Sequence, residues 1–276
     1  MLPSFLLSMR EGLEAALIIG IILGALHKLH RSDLKPVVWR GVGLAVTLSI
    51  LAGLGLNLLG MEFEGVLEEA FEGIAMLLAA GILTWMILWM QRQGGEIRRE
   101  IETKTRQASL QKGGQALFFL AFLAVFREGI ELALFLMATR LATSPLVTLV
   151  GAILGLVTAI ALGLLVFSST RRLNLRQFFI VTNVLLLLFA AGLVAHGVHE
   201  LNEAGWIPSI IEPVWDVNHI LHDKSPAGEI MKALFGYNGN PSLTEVLAYI
   251  GYFLIVGTIL LRNQRKQPNI RALPAQ

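Results

Sequence analysis

The sequence contains the same group of charged residues twice, each time inside a long apolar stretch. REGLE begins at Arg10 and REGIE begins at Arg127, so each copy holds one arginine and two glutamates within five residues. Residues three or four apart lie on the same face of an α-helix. The arginine and both glutamates of each copy are therefore predicted to project from one side of a helix.

These groups are costly in the apolar interior of a membrane, at roughly 2.5–3.5 kcal/mol per charge on the insertion scale. The ion pairs expected at i,i+4 spacing are Arg10–Glu14 and Arg127–Glu131. Pairing leaves Glu11 and Glu128 without a partner on their own helix, and such a carboxylate must be protonated, paired across helices or bound to a cation. Four carboxylates at one depth suit a hard cation. The predicted metal ligands are Glu11, Glu14, Glu128 and Glu131; the alternative is a set of internal salt bridges that locks two helices together.

The composition predicts an all-α integral membrane protein. Hydrophobic residues make up 55% of the 276 residues and charged residues only 15%, against about 25% in ordinary soluble domains. The absence of cysteine excludes disulfides, thiolate metal sites and cysteine nucleophiles. The sequence shows no nucleotide-binding glycine loop, Ser-His-Asp arrangement or HExxH motif, so we expect no enzymatic activity.

Seven stretches are long and apolar enough to cross a membrane, at 3–26, 37–59, 66–90, 116–139, 146–168, 178–199 and 244–261. The loops after the first, third and fifth spans lie on the same side of the membrane as the C-terminal tail. Together they hold 17 of the 22 basic residues. The positive-inside rule then predicts an external N-terminus and a cytoplasmic C-terminus. Trp39, Trp85 and Trp89, near the span ends, are expected to be interfacial.

Helices 1–3 and 4–6 are predicted to be two copies of one unit. REGLE corresponds to REGIE, and LLAAGILTWM at 77–86 corresponds to LFAAGLVAHG at 188–197. Because each unit has an odd number of spans, the second copy is inverted, and transporters of this kind bind substrate between the repeats. The predicted organisation is one transmembrane domain over 1–276: repeat one 1–90, a cytoplasmic linker 91–115 that contains a short helix, repeat two 116–200, a partly ordered external loop 201–243, helix seven 244–261 and a cytoplasmic tail 262–276.

Further acidic and histidine residues cluster at the predicted outer ends of helices 3 and 6. Glu64, Glu68 and Glu72 are spaced by four and lead from the surface into the third span. We expect Glu68 and Glu72 to bind the ion, and an outer entry formed by Glu64, Glu69, His196, His199 and Glu200. The alternatives are a solvated helix start and interfacial polar tips. His219, His222 and Asp223 form a weaker HxxHD set in the external loop.

Several motifs together carry a resemblance to a known family. They are the two REGxE groups, FEGI at 71–74, RLNLRQFF at 172–179 and LFGYNGNPS at 234–242. With seven spans and an external N-terminus, the chain resembles the oxidase-dependent iron transporter family, the high-affinity iron permeases of fungi and their bacterial EfeU-like relatives. The resemblance implies iron uptake across the plasma or inner membrane, with the REGxE carboxylates as iron ligands and no permanently bound cofactor. It also implies an extracytoplasmic partner that binds or oxidises iron.

We therefore expect a permease for iron, with Fe³⁺ as the cargo. In this hypothesis Arg10 and Arg127 hold the carboxylates charged in the empty site and release them as the cation binds. A carrier for Fe²⁺, Mn²⁺ or Pb²⁺ is the first alternative, since oxygen ligands do not separate these ions. A di-metal carboxylate enzyme would need a Glu-x-x-His pair on each of two helices, which no span contains. A receptor or scaffold would leave six buried charges unexplained.

Overall fold

The computed structural model describes residues 1–59, 65–93, 97–110, 114–142, 144–168, 175–222 and 225–266, and these ranges contain helices but no strand. The all-α prediction is confirmed for them. The α-helices are α1 (Leu2–Lys28), α2 (Lys35–Leu59), α3 (Val66–Gln93), α4 (Ile97–Leu110), α5 (Gln115–Ala142), α6 (Pro145–Ser168), α7 (Leu175–Glu203), α8 (Pro226–Phe235) and α9 (Leu243–Lys266).

Seven of these helices have 24 residues or more, and they coincide with the seven predicted spans to within five residues at each end. Helices α2, α3, α6, α7 and α9 are also apolar enough to cross a membrane. Helices α1 and α5 are as long, but every 18-residue window of either helix includes at least three charged residues because of the REGxE groups. The chain is a multi-pass membrane protein.

The long helices associate in pairs that link the two halves of the chain. Helix α1 packs along α6, α2 packs along α5, and α3 packs along α7. Helices α1 and α5, which carry the charged groups, also contact each other, and α9 lies against α7. The two REGxE groups are thus brought to one helix–helix contact.

Rows of small residues let the paired helices approach closely. Helix α2 presents Gly41, Ala45, Ser49 and Gly53 at intervals of four, and a Cβ added at Gly41 would lie 2.7 Å from the Phe118 carbonyl oxygen on α5. Helix α6 presents an equivalent row to α1: Gly151, Gly155, Ala159 and Gly163. Small residues in membrane helices bring backbones together and increase van der Waals contact, which drives association where lipid supplies no hydrophobic effect.

The glycines of the two REGxE groups take part in the same contacts. A Cβ on Gly12 would lie 2.9 Å from the Ala159 Cβ on α6, and a Cβ on Gly129 would overlap Ser49 on α2. The sequence left open whether these glycines serve close helix approach or make room for an ion. The structure shows that they serve helix approach, since each faces a neighbouring helix.

Helices α3 and α7 cross at a second pair of glycines. A Cβ on Gly73 would lie 2.8 Å from the Gly197 carbonyl oxygen, and one on Gly197 would lie 2.9 Å from the Gly73 carbonyl oxygen. Next to this crossing, an apolar cluster fills the space between α1, α3, α5 and α7. Its large members include Leu7, Met76, Leu83, Phe135 and Leu186, all of them almost completely buried.

The two polar connections each contain a helix, where the sequence predicted a short helix for the linker and partial order for the 201–243 segment. Helix α4 lies in the linker, carries the expected i,i+4 pair between Lys104 and Glu100 at 2.6 Å, and contacts α1 and α5. Helix α8 lies in the 201–243 segment and begins with Ser225, whose hydroxyl accepts a hydrogen bond from the Gly228 amide. It ends at Gly236 in the left-handed conformation, directly against Gly192 of α7, so the segment folds back onto the bundle.

Two alanine substitutions on α2 test the role of the small-residue row. Gly41→Ala should lower the melting temperature of the detergent-solubilised protein by several degrees, because overpacking costs about 1–3 kcal/mol. Gly43→Ala is the matched control, since no atom lies within 4 Å of a Cβ built there. It should leave the melting temperature unchanged or raise it, because alanine is the better helix former. Equal melting temperatures for the two variants would contradict the packing described here.

Candidate metal centre

Three glutamates from two helices converge where α1 meets α5. One carboxylate oxygen from each of Glu11, Glu128 and Glu131 lies within 4.8 Å of the other two. Glu11 and Glu128 are 1% and 7% exposed, and Glu131 is largely buried. No other group of three or more histidine or acidic ligands in the described residues comes this close. Negative charges at this separation repel, so the arrangement calls for protons or a cation.

Arg10 is the principal counter-charge on the α1 side. Its side chain is fully buried, with Nη1 3.4 Å from Glu11 Oε1 and Nε 3.2 Å from Glu14 Oε1. The predicted i,i+4 pair with Glu14 is therefore present. The sequence analysis had left Glu11 without a partner on its own helix, and this was wrong. The long guanidinium fork reaches the neighbouring carboxylate as well as the one a turn away.

Arg127 has the equivalent position on α5 but different surroundings. Its Nε donates to Glu131 Oε1 at 2.9 Å, so the second predicted i,i+4 pair is also present. Its side chain is 44% exposed, and its guanidinium lies 4.9 Å from the centre of the Trp89 ring. Trp89, which was predicted to be interfacial, thus contacts the charged group in the geometry of a cation–π interaction.

The carboxylates are only partly satisfied by the arginines. Glu11 Oε2 and Glu131 Oε2 are buried and have no hydrogen-bond partner among the residues that the structure describes. Buried polar atoms usually have a partner, and a carboxylate oxygen without one is an acceptor for a proton or a ligand for a cation. Glu14 was predicted to share the site, but it is not part of the group of three; it remains with Arg10.

The acidic residues of α3 lie apart from this centre. Glu64 falls outside the described residues, Glu68 is exposed, and Glu69 and Glu72 are partly exposed. None of the described three belongs to the carboxylate group between α1 and α5. Glu72 directly precedes Gly73, so it lies beside the crossing of α3 and α7, where His196 directly precedes Gly197.

A polar cavity of about 270 Å³, which we call the histidine cavity, lies where α7 ends and α9 begins. It is lined by His196, His199, Glu203, Glu212, Lys232, Tyr237, Asn238, Asn240 and Glu245. Two of the three residues predicted on α7 thus share one cavity, and Glu200 is on the same helix but not in the lining. His219 and His222 are exposed, and Asp223 lies outside the described residues.

The sequence analysis missed Glu245, although it is 97% buried in the first turn of α9. Glu245 Oε1 pairs with His199 Nδ1 at 3.1 Å, and Oε2 accepts from Asn238 Nδ2 at 2.8 Å. The segment 234–242 was quoted only for its family resemblance, yet Asn238 within it supports this carboxylate. In the sequence, Glu245 is recognisable only as an acidic residue at the start of an apolar span, which is equally typical of a helix N-terminus.

Ionisable side chains buried between two helices of a membrane bundle are typical of the ion or substrate pathway of a transporter. The sequence profile of the iron permease FTR1 family matches residues 1–264. The chain therefore belongs to the FTR1 iron permease family, and it is a permease for iron rather than an enzyme.

Named relatives agree with this assignment. The ferrous iron permease EfeU of Escherichia coli O6:K15:H31 (strain 536) is 38% identical over 257 residues, which cover 92% of this chain and 93% of the relative. The ferrous iron permease EfeU of Yersinia pestis is 35% identical over 256 residues, covering 92% and 91%. No solved structure matches the chain significantly.

The difference in burial between the two arginines yields a stability prediction. Arg10→Met should destabilise the protein by about 3–5 kcal/mol, because it leaves buried carboxylates without their counter-charge. Arg127→Met should cost less, since Arg127 is 44% exposed and pairs with Glu131, whereas Arg10 is fully buried and pairs with both Glu11 and Glu14. Thermal unfolding of the two variants in the same detergent shows which substitution causes the larger loss of stability. A larger loss for Arg127→Met would contradict this account of the site.

Proposed function

We propose that this chain carries iron into the cell across the inner or plasma membrane, and that Glu11, Glu128 and Glu131 bind the ion during transit. The observation that supports the proposal is the convergence of their three carboxylates within 4.8 Å inside a helical bundle. Carboxylate oxygens suit hard cations such as iron, and these three side chains bring such oxygens together.

In this mechanism the arginines and the ion compete for the same carboxylates. Arg10 contacts Glu11 and Glu14, so their negative charge is partly compensated before iron arrives. When iron binds Glu11, the guanidinium retains Glu14 as its partner. Glu14 then adds a fourth carboxylate only if the bundle rearranges. Arg127 plays the same part for Glu131 on the other helix.

We also propose that α1–α3 and α5–α7 form an inverted repeat, with seven spans, an external N-terminus and a cytoplasmic C-terminus. The pattern of contacts supports the repeat, and the basic residues concentrated in the loops of one side support the orientation. Exchanging α1 with α5, α2 with α6 and α3 with α7 converts the α1–α6 pair into the α5–α2 pair and returns the α3–α7 and α1–α5 pairs unchanged. The rows that begin at Gly41 and Gly151 correspond under the same exchange.

The two halves differ in a way that alternating access would require. Arg10 is fully buried, while its counterpart Arg127 is 44% exposed beside Trp89. In the proposed orientation Arg10 lies on the outer side of the carboxylates and Arg127 on the inner side. The apolar cluster of Leu7, Met76 and Phe135 adds to the closed outer side. The structure then corresponds to a state closed to the outside, and rocking of one repeat against the other opens it.

Iron would reach this centre from the external side through the histidine cavity and the acidic residues of α3. Glu68 is exposed, and Glu72 and His196 lie on either side of the α3–α7 crossing, so together they mark a polar route toward the bundle. Glu69, His199 and Glu200 would attract cations at its entrance. An extracytoplasmic protein that binds or oxidises iron would deliver the ion there.

Two observations favour different oxidation states of the cargo. The central carboxylates are all-oxygen ligands, which favours Fe³⁺ as the harder ion. The relatives from E. coli and Y. pestis are named ferrous iron permeases, which favours Fe²⁺ as a second candidate.

Uptake by proteoliposomes tests the central site. Glu128→Gln and Glu131→Gln should each reduce uptake of radioactive iron at least about tenfold, because they remove a charged ligand while keeping the side-chain volume. Glu100→Gln is the matched control, since Glu100 is exposed on α4 and pairs with Lys104 at the surface. Protein amounts and melting temperatures must be similar in all vesicles. Uptake at the wild-type rate in both site variants would refute the proposed ion site.

The same vesicles identify the cargo. With radioactive iron supplied either as Fe²⁺ under ascorbate or as a soluble Fe³⁺ citrate complex, uptake in the first condition alone supports Fe²⁺. Uptake in the second condition alone supports Fe³⁺, as the ligand chemistry of the central site predicts. Addition of excess Mn²⁺ to either condition measures competition by another divalent ion.

A further inference from the structure

The orientation of His196 leaves one imidazole nitrogen facing the histidine cavity. The side chain is 92% buried, and Nδ1 lies 3.1 Å from the Gly192 carbonyl oxygen one turn earlier on α7. A carbonyl can only accept a hydrogen bond, so Nδ1 carries the proton and Nε2 carries the lone pair. Nε2 has no hydrogen-bond partner in the part of the chain that the structure describes, and the ring lines the cavity.

His199, one turn further along α7, is oriented by a buried carboxylate. Its Nδ1 donates to Glu245 Oε1 at 3.1 Å. Glu245 is itself held by the Ser242 amide at 3.0 Å and by Asn238 Nδ2 at 2.8 Å. Histidines that bind metals commonly donate their second N–H to a carboxylate or a backbone carbonyl, which fixes the ring and makes the free nitrogen a better ligand. Both histidines of the cavity show this arrangement.

The free side of His199 faces a further acidic residue. Nε2 lies 3.4 Å from Glu203 Oε1, so the ring stands between the carboxylates of Glu245 and Glu203. A lone pair on Nε2 would repel the Glu203 oxygen, and a proton or a cation between them removes that repulsion. A cation that displaces the proton would gain Nε2 and the Glu203 carboxylate as ligands together.

We propose that the histidine cavity is a second metal-binding site, which takes a divalent transition-metal ion through His196 Nε2, His199 Nε2 and Glu203. Imidazole nitrogen favours ions such as Fe²⁺, Co²⁺ or Zn²⁺ over Ca²⁺ and Mg²⁺, which prefer oxygen. The ligand atoms are not drawn together as tightly as at the central carboxylates, and the cavity of about 270 Å³ leaves room for part of the ion's water shell. The site therefore captures a partly hydrated ion.

Lys232 on α8 lowers the affinity of this site for a cation. It lines the same cavity and places a positive charge beside the ligands. A bound cation must overcome that repulsion, which keeps the affinity low enough for the ion to be passed on. The proposal rests on the proposed function only in that iron is the physiological ion; metal binding itself does not require transport.

Calorimetric titration with Co²⁺, which is stable to oxidation, tests the second site in purified protein. The background for this titration is the triple variant Glu11→Gln/Glu128→Gln/Glu131→Gln, which lacks the central ligands. One Co²⁺ should still bind to this triple background. Adding His196→Gln or His199→Gln should raise the Kd at least about tenfold. Lys232→Met should lower the Kd severalfold, because it removes a like charge.

His219→Gln is the matched control, since His219 is exposed on the same segment and does not line the cavity; its Kd should equal that of the background. Absence of Co²⁺ binding in a folded background, or a Kd unchanged by both cavity histidine variants, would overturn the proposal. Should the triple background not fold, the wild-type protein should bind two Co²⁺ ions and His199→Gln only one. Because the triple background lacks the proposed transport ligands, failure of the transport proposal would leave these binding results unchanged.

Discussion

The constraint on which the structure depends is the cost of holding like charges together away from water. Glu11, Glu128 and Glu131 bring carboxylate oxygens within 4.8 Å of one another inside an apolar bundle. A buried Arg10 and a half-exposed Arg127 offset part of their repulsion. Two oxygens still have no hydrogen-bond partner in the described residues. In the proposed function a cation bound by these carboxylates would offset the remaining repulsion, so the charge arrangement that opposes folding would also provide affinity for the ion.

The backbone packing sets how closely the charged helices can approach. Gly12 and Gly129 let α1 and α5 lie against α6 and α2, which leaves the glutamates on the remaining face to meet each other. Rows of glycine, alanine and serine also bring the paired backbones together, which increases the van der Waals contact that holds membrane helices to one another.

The sequence predicted the long helices and both i,i+4 ion pairs because these depend on local composition and helical periodicity. It could not predict that Glu14 stays outside the group of three, since small differences in depth and rotation between α1 and α5 decide this. Nor could it place Glu245 beside His199, 46 residues away, or Trp89 beneath Arg127, because these contacts depend on tertiary packing. The rows at Gly41 and Gly151 can be recognised in the sequence as small residues at intervals of four, but only the structure shows that each row faces a partner helix.

The most direct test of the central claim is a structure of the protein determined with iron bound, in which anomalous scattering at the iron absorption edge locates the ion. The account predicts a peak between α1 and α5, within coordination distance of oxygens from Glu11, Glu128 and Glu131, and no peak there in Glu131→Gln. Iron bound only elsewhere in a fully loaded protein, with these three carboxylates still held as in the empty site, would contradict it.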